Sequence, residues 1–217
     1  VATLDDDVIA AMIRMGMSVA TIAIESGSDF VQRKIIKKNA SLTRAKKVVQ
    51  SCRDQGVIVR CYYVLGFPGE TKEMIEETIS FSASISSDWS VYNIASPLSG
   101  TEMFETLLTE GIIGDDFNWD DSFYHDRSYD SPEITADELK EIAHRANITN
   151  NFFHNYNLRI EQFDRAIVLF EDILHSYPEH LAARYCYAIA HKHKGDIEHY
   201  KINIKACEDL IINGESD

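Results

Sequence analysis

The stretch Tyr62–Thr71, Tyr-Tyr-Val-Leu-Gly-Phe-Pro-Gly-Glu-Thr, constrains this chain more than any other. Tyr62 to Leu65 run aromatic or aliphatic without polar alternation, which predicts a strand covered on both faces. Gly66 and Gly69 allow backbone conformations or close approaches that a Cβ would obstruct, and Pro68 fixes φ between them. Glu70 and Thr71 then supply an acidic first turn and a capping hydroxyl for a helix. Such a strand–turn–helix corner is where α/β proteins place small-molecule sites. Many such corners bind nothing, so its meaning depends on its neighbours.

Those neighbours repeat the pattern. Thr3 and Asp5–Asp7 make an acidic helix start before Val8, Ile9, Met12, Ile13 and Met15, and Gly16 ends that helix. Ser18–Ile24 reads as a strand, followed by the polar turn Glu25–Asp29 and a short helix over Phe30–Ile36. Ser41 caps a helix whose apolar face is Leu42, Ala45, Val48, Val49 and Cys52, with Gly56 as its stop. Val57–Leu65 is the next strand, and Met74, Ile75, Thr78, Ile79, Phe81 and Ile85 follow at helical spacing. Trp89–Ala95 is a third strand, ending in Ser96–Thr101 before a helix that carries Met103, Phe104, Leu107 and Leu108. Strands alternating with helices predict an α/β fold with parallel strands and right-handed crossovers. The turns at 25–29, 66–71 and 96–101 then converge on one carboxyl edge.

Residues 113–134 break this pattern. Asp115, Asp116, Asp120, Asp121, Asp126 and Asp130 interleave there with Phe117, Trp119, Phe123, Tyr124 and Tyr129. The spacing is not that of an EF-hand, and it reads as a surface connection pinned by its aromatics. From 135 to 217 the pattern is helical. It opens with the capping box Thr135-Ala136-Asp137-Glu138 on a long helix toward Asn155, and continues over Arg159–Ser176, Pro178–Lys194 and Ile197–Ile212.

Composition narrows the function classes. A net charge of −14, from 35 acidic and 21 basic residues, argues against a nucleic-acid or anionic-membrane surface. It leaves open one anionic ligand held by a lysine and backbone amides. No apolar run has transmembrane length and no signal peptide opens the chain, which predicts a cytoplasmic protein. Cys52, Cys61, Cys186 and Cys207 form no CxxC pattern and read as buried free thiols. All eight histidines lie from His125 onward. His191 and His193, two apart on a helix, point to different faces and do not share a metal. The chain starts at Val1 in helix-forming material, as an excised piece of a longer protein would.

Three stretches together resemble the radical S-adenosylmethionine (radical SAM) enzymes, in particular the group often carrying a cobalamin-binding domain. They are Ala23–Asp29, Val64–Thr71 and Pro97–Thr101, in the order and separation of strands four, five and six of that family's partial (β/α)6 barrel. The likeness covers residues 1–112 and implies the carboxyl-terminal half of such a barrel. It implies that Glu25 and Ser26 meet the ribose of S-adenosylmethionine, since a carboxylate accepts from ribose hydroxyls. Lys37 matches a basic residue that pairs with the methionine carboxylate, with Lys38 as a substitute in register. Val64, Leu65 and Gly66 match the segment near the adenine, and Ser96, Pro97 and Leu98 match the sixth-strand end near the same base.

The resemblance also implies a [4Fe–4S] cluster, which that family holds with CxxxCxxC, and no such cysteine set occurs here. The expectation is therefore a piece of a radical SAM iron–sulfur oxidoreductase, itself inactive. The intact protein would cleave S-adenosylmethionine reductively, with cobalamin as a further cofactor in some relatives. This chain would bind none of these tightly. Its expected partners are the missing amino-terminal half of the barrel and a second copy of the chain.

The tail resembles a tetratricopeptide array. Ala166, Phe170 and Pro178 stand at helix-B separations, and a period of about 34 residues carries Gly195, Tyr200 and Ile204 into the next register. Arg184, Tyr187 and Ala188 then fall at helix-A positions. Two readings of 135–217 stand side by side: a surface that binds a protein partner with the half barrel as its scaffold, or a helical hairpin covering the barrel end.

Overall fold

A computed structural model of the 217-residue chain describes residues 4–38, 41–114, 116–118 and 125–214. Thr3 of the expected helix start lies outside the described residues. So do Asp115, Trp119, Asp120, Asp121, Phe123 and Tyr124 of the acidic–aromatic connection. The chain divides into two compact units, Val1–Asn147 and Ile148–Asp217.

The first unit is built from α1 (Asp6–Arg14), β1 (Val19–Glu25), α2 (Leu42–Asp54), β2 (Ile58–Leu65), α3 (Lys72–Ser84), β3 (Trp89–Ile94), α4 (Glu102–Thr109) and α5 (Ala136–Ile148). A single π-helical turn, Val31–Ile35, follows β1. The three strands pair in the order β1-β2-β3, all parallel. Helix starts follow their caps: Asp5, Ser41, Thr71 and Thr101 each accept an amide proton from three residues on. The capping box forms as well, with Thr135 Oγ1 accepting from Glu138 N and Glu138 Oε2 accepting from Thr135 N, both at 3.2 Å.

The core lies on one side of the sheet. Val59, Cys61, Tyr63 and Leu65 of β2 are fully buried in one cluster with Ala45, Val48 and Val49 of α2, Ile75 of α3, and Leu139 and Ala143 of α5. Each of the larger side chains contributes about 1.5–3 kcal/mol by leaving water. Tyr63 stacks on Tyr92 of β3, ring centroids 5.6 Å apart.

The two-sided burial expected for β2 is not found. Ile58, Arg60, Tyr62 and Val64 alternate with the buried set and are half-exposed. On the same face of β1, Val19, Thr21 and Ala23 are exposed. An unbroken apolar run reports hydrophobicity on both faces of a strand but not whether each face is covered.

The second unit holds the π-helical turn Thr149–Phe153, then α6 (Tyr156–Arg159), α7 (Phe163–Ser176), α8 (Leu181–His193) and α9 (Ile197–Asn213). Consecutive helices pack, α7 on α8 and α8 on α9. Ala166, Phe170, Ala183, Cys186 and Ala188 are buried, and Phe152 stacks on Phe170. No helix among the described residues is long and apolar enough to cross a membrane.

Candidate functional site

Parallel strands of alternating βα connection bring their carboxyl ends to one edge. At that edge β1 ends in a bulge: Ala23 faces Tyr62, yet Glu25 faces Tyr63. Glu25 itself has φ 72, and Lys37 has φ 54. With Glu161 they are the non-glycine residues in the left-handed region among those described. Such conformations persist only where the surroundings impose them, and they gather at functional sites.

The bulge points Glu25 into a cleft of about 390 Å³, lined also by Ile36, Lys38, Val64, Phe67, Asn93, Ser96, Leu98 and Met103. Lys38 Nζ lies 3.0 Å from Glu25 Oε1 and donates to the Ala23 carbonyl at 3.1 Å. A second cleft of about 500 Å³ adjoins it, sharing Ile36, Phe67, Ser96, Leu98 and Met103, and adds Lys34, Lys37, Thr101 and Glu102. There Lys37 pairs with Glu102 across an exposed rim. A larger cleft of about 670 Å³ runs between Trp89–Tyr92 of β3 and α5. It borders the first four residues of β3 rather than the turn that follows the strand.

The expected site residues separate into four groups. Glu25, Val64, Ser96 and Leu98 share the first cleft, and Lys37 lies in the second. Ser26, Leu65 and Pro97 are buried beneath the edge. Leu65 belongs to the core. Ser26 Oγ is engaged internally, 2.9 Å from Thr78 Oγ1, and it accepts the Ser28 amide proton at 3.1 Å. Gln32 reinforces the turn by donating to the carbonyls of Ile24 and Ser26 at 2.6 and 2.7 Å. Gly27 lets this turn lie against α3, because a Cβ there would stand 2.4 Å from Phe81 Cβ.

Gly66, the last of the expected residues, is held by both of its backbone groups. Its amide donates to Glu70 Oε2 at 2.6 Å, and its carbonyl accepts from Arg127 Nη1 at 3.2 Å. Its φ of 85 favours glycine, and a Cβ there would stand 2.3 Å from Leu139 Cδ2, so that side chain would have to move. Glu70 is therefore not the first-turn acid that the sequence suggested, since it precedes the Thr71 cap of α3. It is fully buried and folds back under the turn, also accepting from Phe67 N at 3.1 Å. Burial pushes its carboxyl up to about 7, against the opposing pull of the two amides and of Arg127.

Asn93 is the residue that sequence reasoning missed. It pairs in register with Val64 and puts a polar amide on a strand face otherwise occupied by Trp89 and Val91. Period-two reading of β3 would have marked it.

A carboxylate, an ammonium and an amide on the rim of a partly apolar cleft are groups that S-adenosylmethionine could use at its ribose, its carboxylate and its adenine. The residues present do not fit an iron–sulfur cluster. Cys52 and Cys61 lie in the first unit, Cys186 and Cys207 in the second, so neither unit offers three thiols. Burial raises all four thiols, Cys61 and Cys186 to about 12, whereas cluster ligation needs thiolates.

Residues 1–82 match the model of the Radical SAM superfamily. An uncharacterized methyltransferase of Pyrococcus horikoshii is 25% identical over 149 residues, covering 69% of this chain and 32% of that protein. The cytidylyl-2-hydroxyethylphosphonate methyltransferase of Streptomyces wedmorensis is 24% identical over 162 residues, covering 72% and 29%. The similarity to radical SAM proteins therefore rests on residues 1–82 for the family model and on relatives about a quarter identical. The chain spans about a third of the length of these curated relatives. Among solved structures, coproporphyrinogen III oxidase from Escherichia coli, described as a radical SAM enzyme, aligns with a TM-score of 0.47 and 14% identity. That alignment covers 68% of this chain and 29% of the oxidase. The radical SAM match includes Glu25, Lys37, Lys38, Val64 and Gly66, and it ends before Ser96–Leu98.

Proposed function

We propose that this chain supplies the carboxyl-terminal half of a radical SAM partial barrel, and with it one wall of the site for S-adenosylmethionine. The observation that carries the reading is the convergence of Glu25, Lys38, Val64, Asn93 and Ser96 on one cleft at the carboxyl edge. In this reading Glu25 accepts from the ribose hydroxyls, and Lys38 takes the methionine carboxylate. Val64, Leu98 and Met103 pack the adenine, with Asn93 near its polar edge. Ser26 acts beneath them as a positioning residue: bonded to Thr78, it fixes the turn that aims Glu25.

The chemistry supplied when the cofactor is bound is reductive cleavage of its sulfonium, which starts radical chemistry on a substrate. The residues of this chain bind and orient; none of them is assigned to the iron–sulfur cluster or to cobalamin. The two curated relatives named as methyltransferases favour transfer of a one-carbon group as the outcome in the intact protein. The open face of β1 and β2, with Thr21, Ala23 and Tyr62 on it, is the surface that the other half of the barrel would cover.

Saturation-transfer NMR on the 217-residue chain with S-adenosylmethionine tests this reading. Weak binding is expected, with saturation on the adenine and ribose protons that falls in Glu25→Gln and in Val64→Lys. Absence of saturation, or equal saturation in both variants, refutes the assignment of the cleft.

A further inference from the structure

Three ligating side chains of the second unit meet at the turn between α8 and α9. His191 stands in the last turn of α8, Asp196 caps α9, and His199 lies in the first turn of α9. Gly195, with φ 82, makes the reversal tight enough to bring them together. His191 Nδ1 is 3.1 Å from Asp196 Oδ2, and His199 Nδ1 is 2.8 Å from the same oxygen. One ligand atom from each residue lies within 4.8 Å of the other two. The imidazoles stack at 4.7 Å, 18° from parallel.

The arrangement is held from outside. Tyr187 meets the His191 ring at 4.5 Å and 62°, and His191 Nε2 is buried without a hydrogen-bond partner. The polar engagement of that ring is thus all at the cluster. Asp196 Oδ1 is occupied as the cap of α9, accepting from His199 N at 3.2 Å, which leaves Oδ2 to face the rings. The lysines flanking the turn are engaged elsewhere: Lys192 over the Tyr200 ring and Lys194 on Asp164. His193, the nearest histidine in sequence, stacks instead on Phe163.

We propose that His191, Asp196 and His199 bind a divalent transition-metal ion of the zinc class. Two imidazoles and a carboxylate are the donor set of borderline ions, not of magnesium or calcium, which take oxygen ligands. Zinc bonds of about 2.0–2.2 Å place tetrahedral ligand atoms roughly 3.3–3.6 Å apart. The two histidine–Asp196 distances, 3.1 and 2.8 Å, lie just inside that spacing, and the exposed His199 ring has room to adjust. The ion takes Oδ2 and one ring nitrogen of each imidazole and clamps α8 to α9, leaving its fourth position to solvent.

The test is calorimetric titration of the full chain with Zn2+, with the thermal midpoint read in parallel and Mg2+ as control. One Zn2+ per chain is expected, with a rise in the midpoint that Mg2+ does not give. His199→Ala, at an exposed position, and Asp196→Asn, which keeps a capping oxygen, should each weaken binding by at least about tenfold and abolish the rise. If the wild-type chain takes up no Zn2+, the site does not exist. If both variants bind with unchanged stoichiometry and affinity, the ion sits on other histidines and the proposal fails.

Discussion

Glu70 accepts the amide proton of Gly66 at 2.6 Å from beneath a turn whose carbonyl face is held by Arg127. The pair ties the end of β2 to the start of α3 through one buried carboxyl, and only one of its oxygens is engaged. That carboxyl is raised from 4.5 to about 7, so the folded state keeps a proton over an interval in which the unfolded chain has lost it.

A pH dependence follows from this shift. Because the folded value lies above the unfolded one, the group favours folding fully below about pH 4.5 and loses that contribution as pH rises to 7. The loss amounts to roughly 3 kcal/mol if the whole shift is expressed. Glu70→Gln keeps an oxygen for both amides and removes the titration. Urea unfolding at pH 5 and pH 8 should show the variant gaining on the wild type by up to that amount at the higher pH. An equal difference at both pH values would mean that Glu70 titrates normally.

The Arg53–Asp88 pair sets a second expectation. Arg53 Nη1 lies 2.6 Å from Asp88 Oδ1, Val59 N donates to Asp88 Oδ2 at 2.8 Å, and both charged side chains are almost wholly buried. Asp88→Ala takes the buried counter-charge from the guanidinium and the acceptor from the Val59 amide near the start of β2. A loss of about 3–5 kcal/mol is expected in urea unfolding. Adding Arg53→Met to that variant should restore part of it, because the isolated charge then disappears as well. A loss below about 1 kcal/mol for the single variant would show that water reaches the site.

The local signals were legible and the tertiary ones were not. Ser41, Thr71 and Thr135 cap where their hydroxyls stand in the sequence, since a cap depends on the next three residues alone. The three strands fall within a residue or two of their apolar runs. Glu70 looked like a first-turn acid because nothing local says that it is buried; Arg127, far along the chain, helps to decide that. The uncovered face of β2 was hidden for the same reason. Of the residues that line the first cleft, Glu25, Val64, Ser96 and Leu98 were expected from motif order, whereas Asn93 needed the strand register. The His191–Asp196–His199 cluster needed the turn to close across two helices, and its spacing matches no short motif.

The choice between two adjacent lysines can be decided by experiment. Sequence register favours Lys37 for the methionine carboxylate, but Lys38 stands beside Glu25 in the first cleft while Lys37 is committed to Glu102 on the rim of the next. The Lys37–Glu102 pair is well exposed and the Lys38–Glu25 pair partly so, which keeps the contribution of each to folding at about 1 kcal/mol. Removal of either lysine leaves the fold intact, and any difference is read in binding. Lys38→Ala should cut the saturation transferred to S-adenosylmethionine several-fold, since an ammonium–carboxylate contact is lost, while Lys37→Ala should stay within about twofold of wild type. The reverse ranking would place the carboxylate in the second cleft, beside Thr101, and would restore the register that the motif order first indicated.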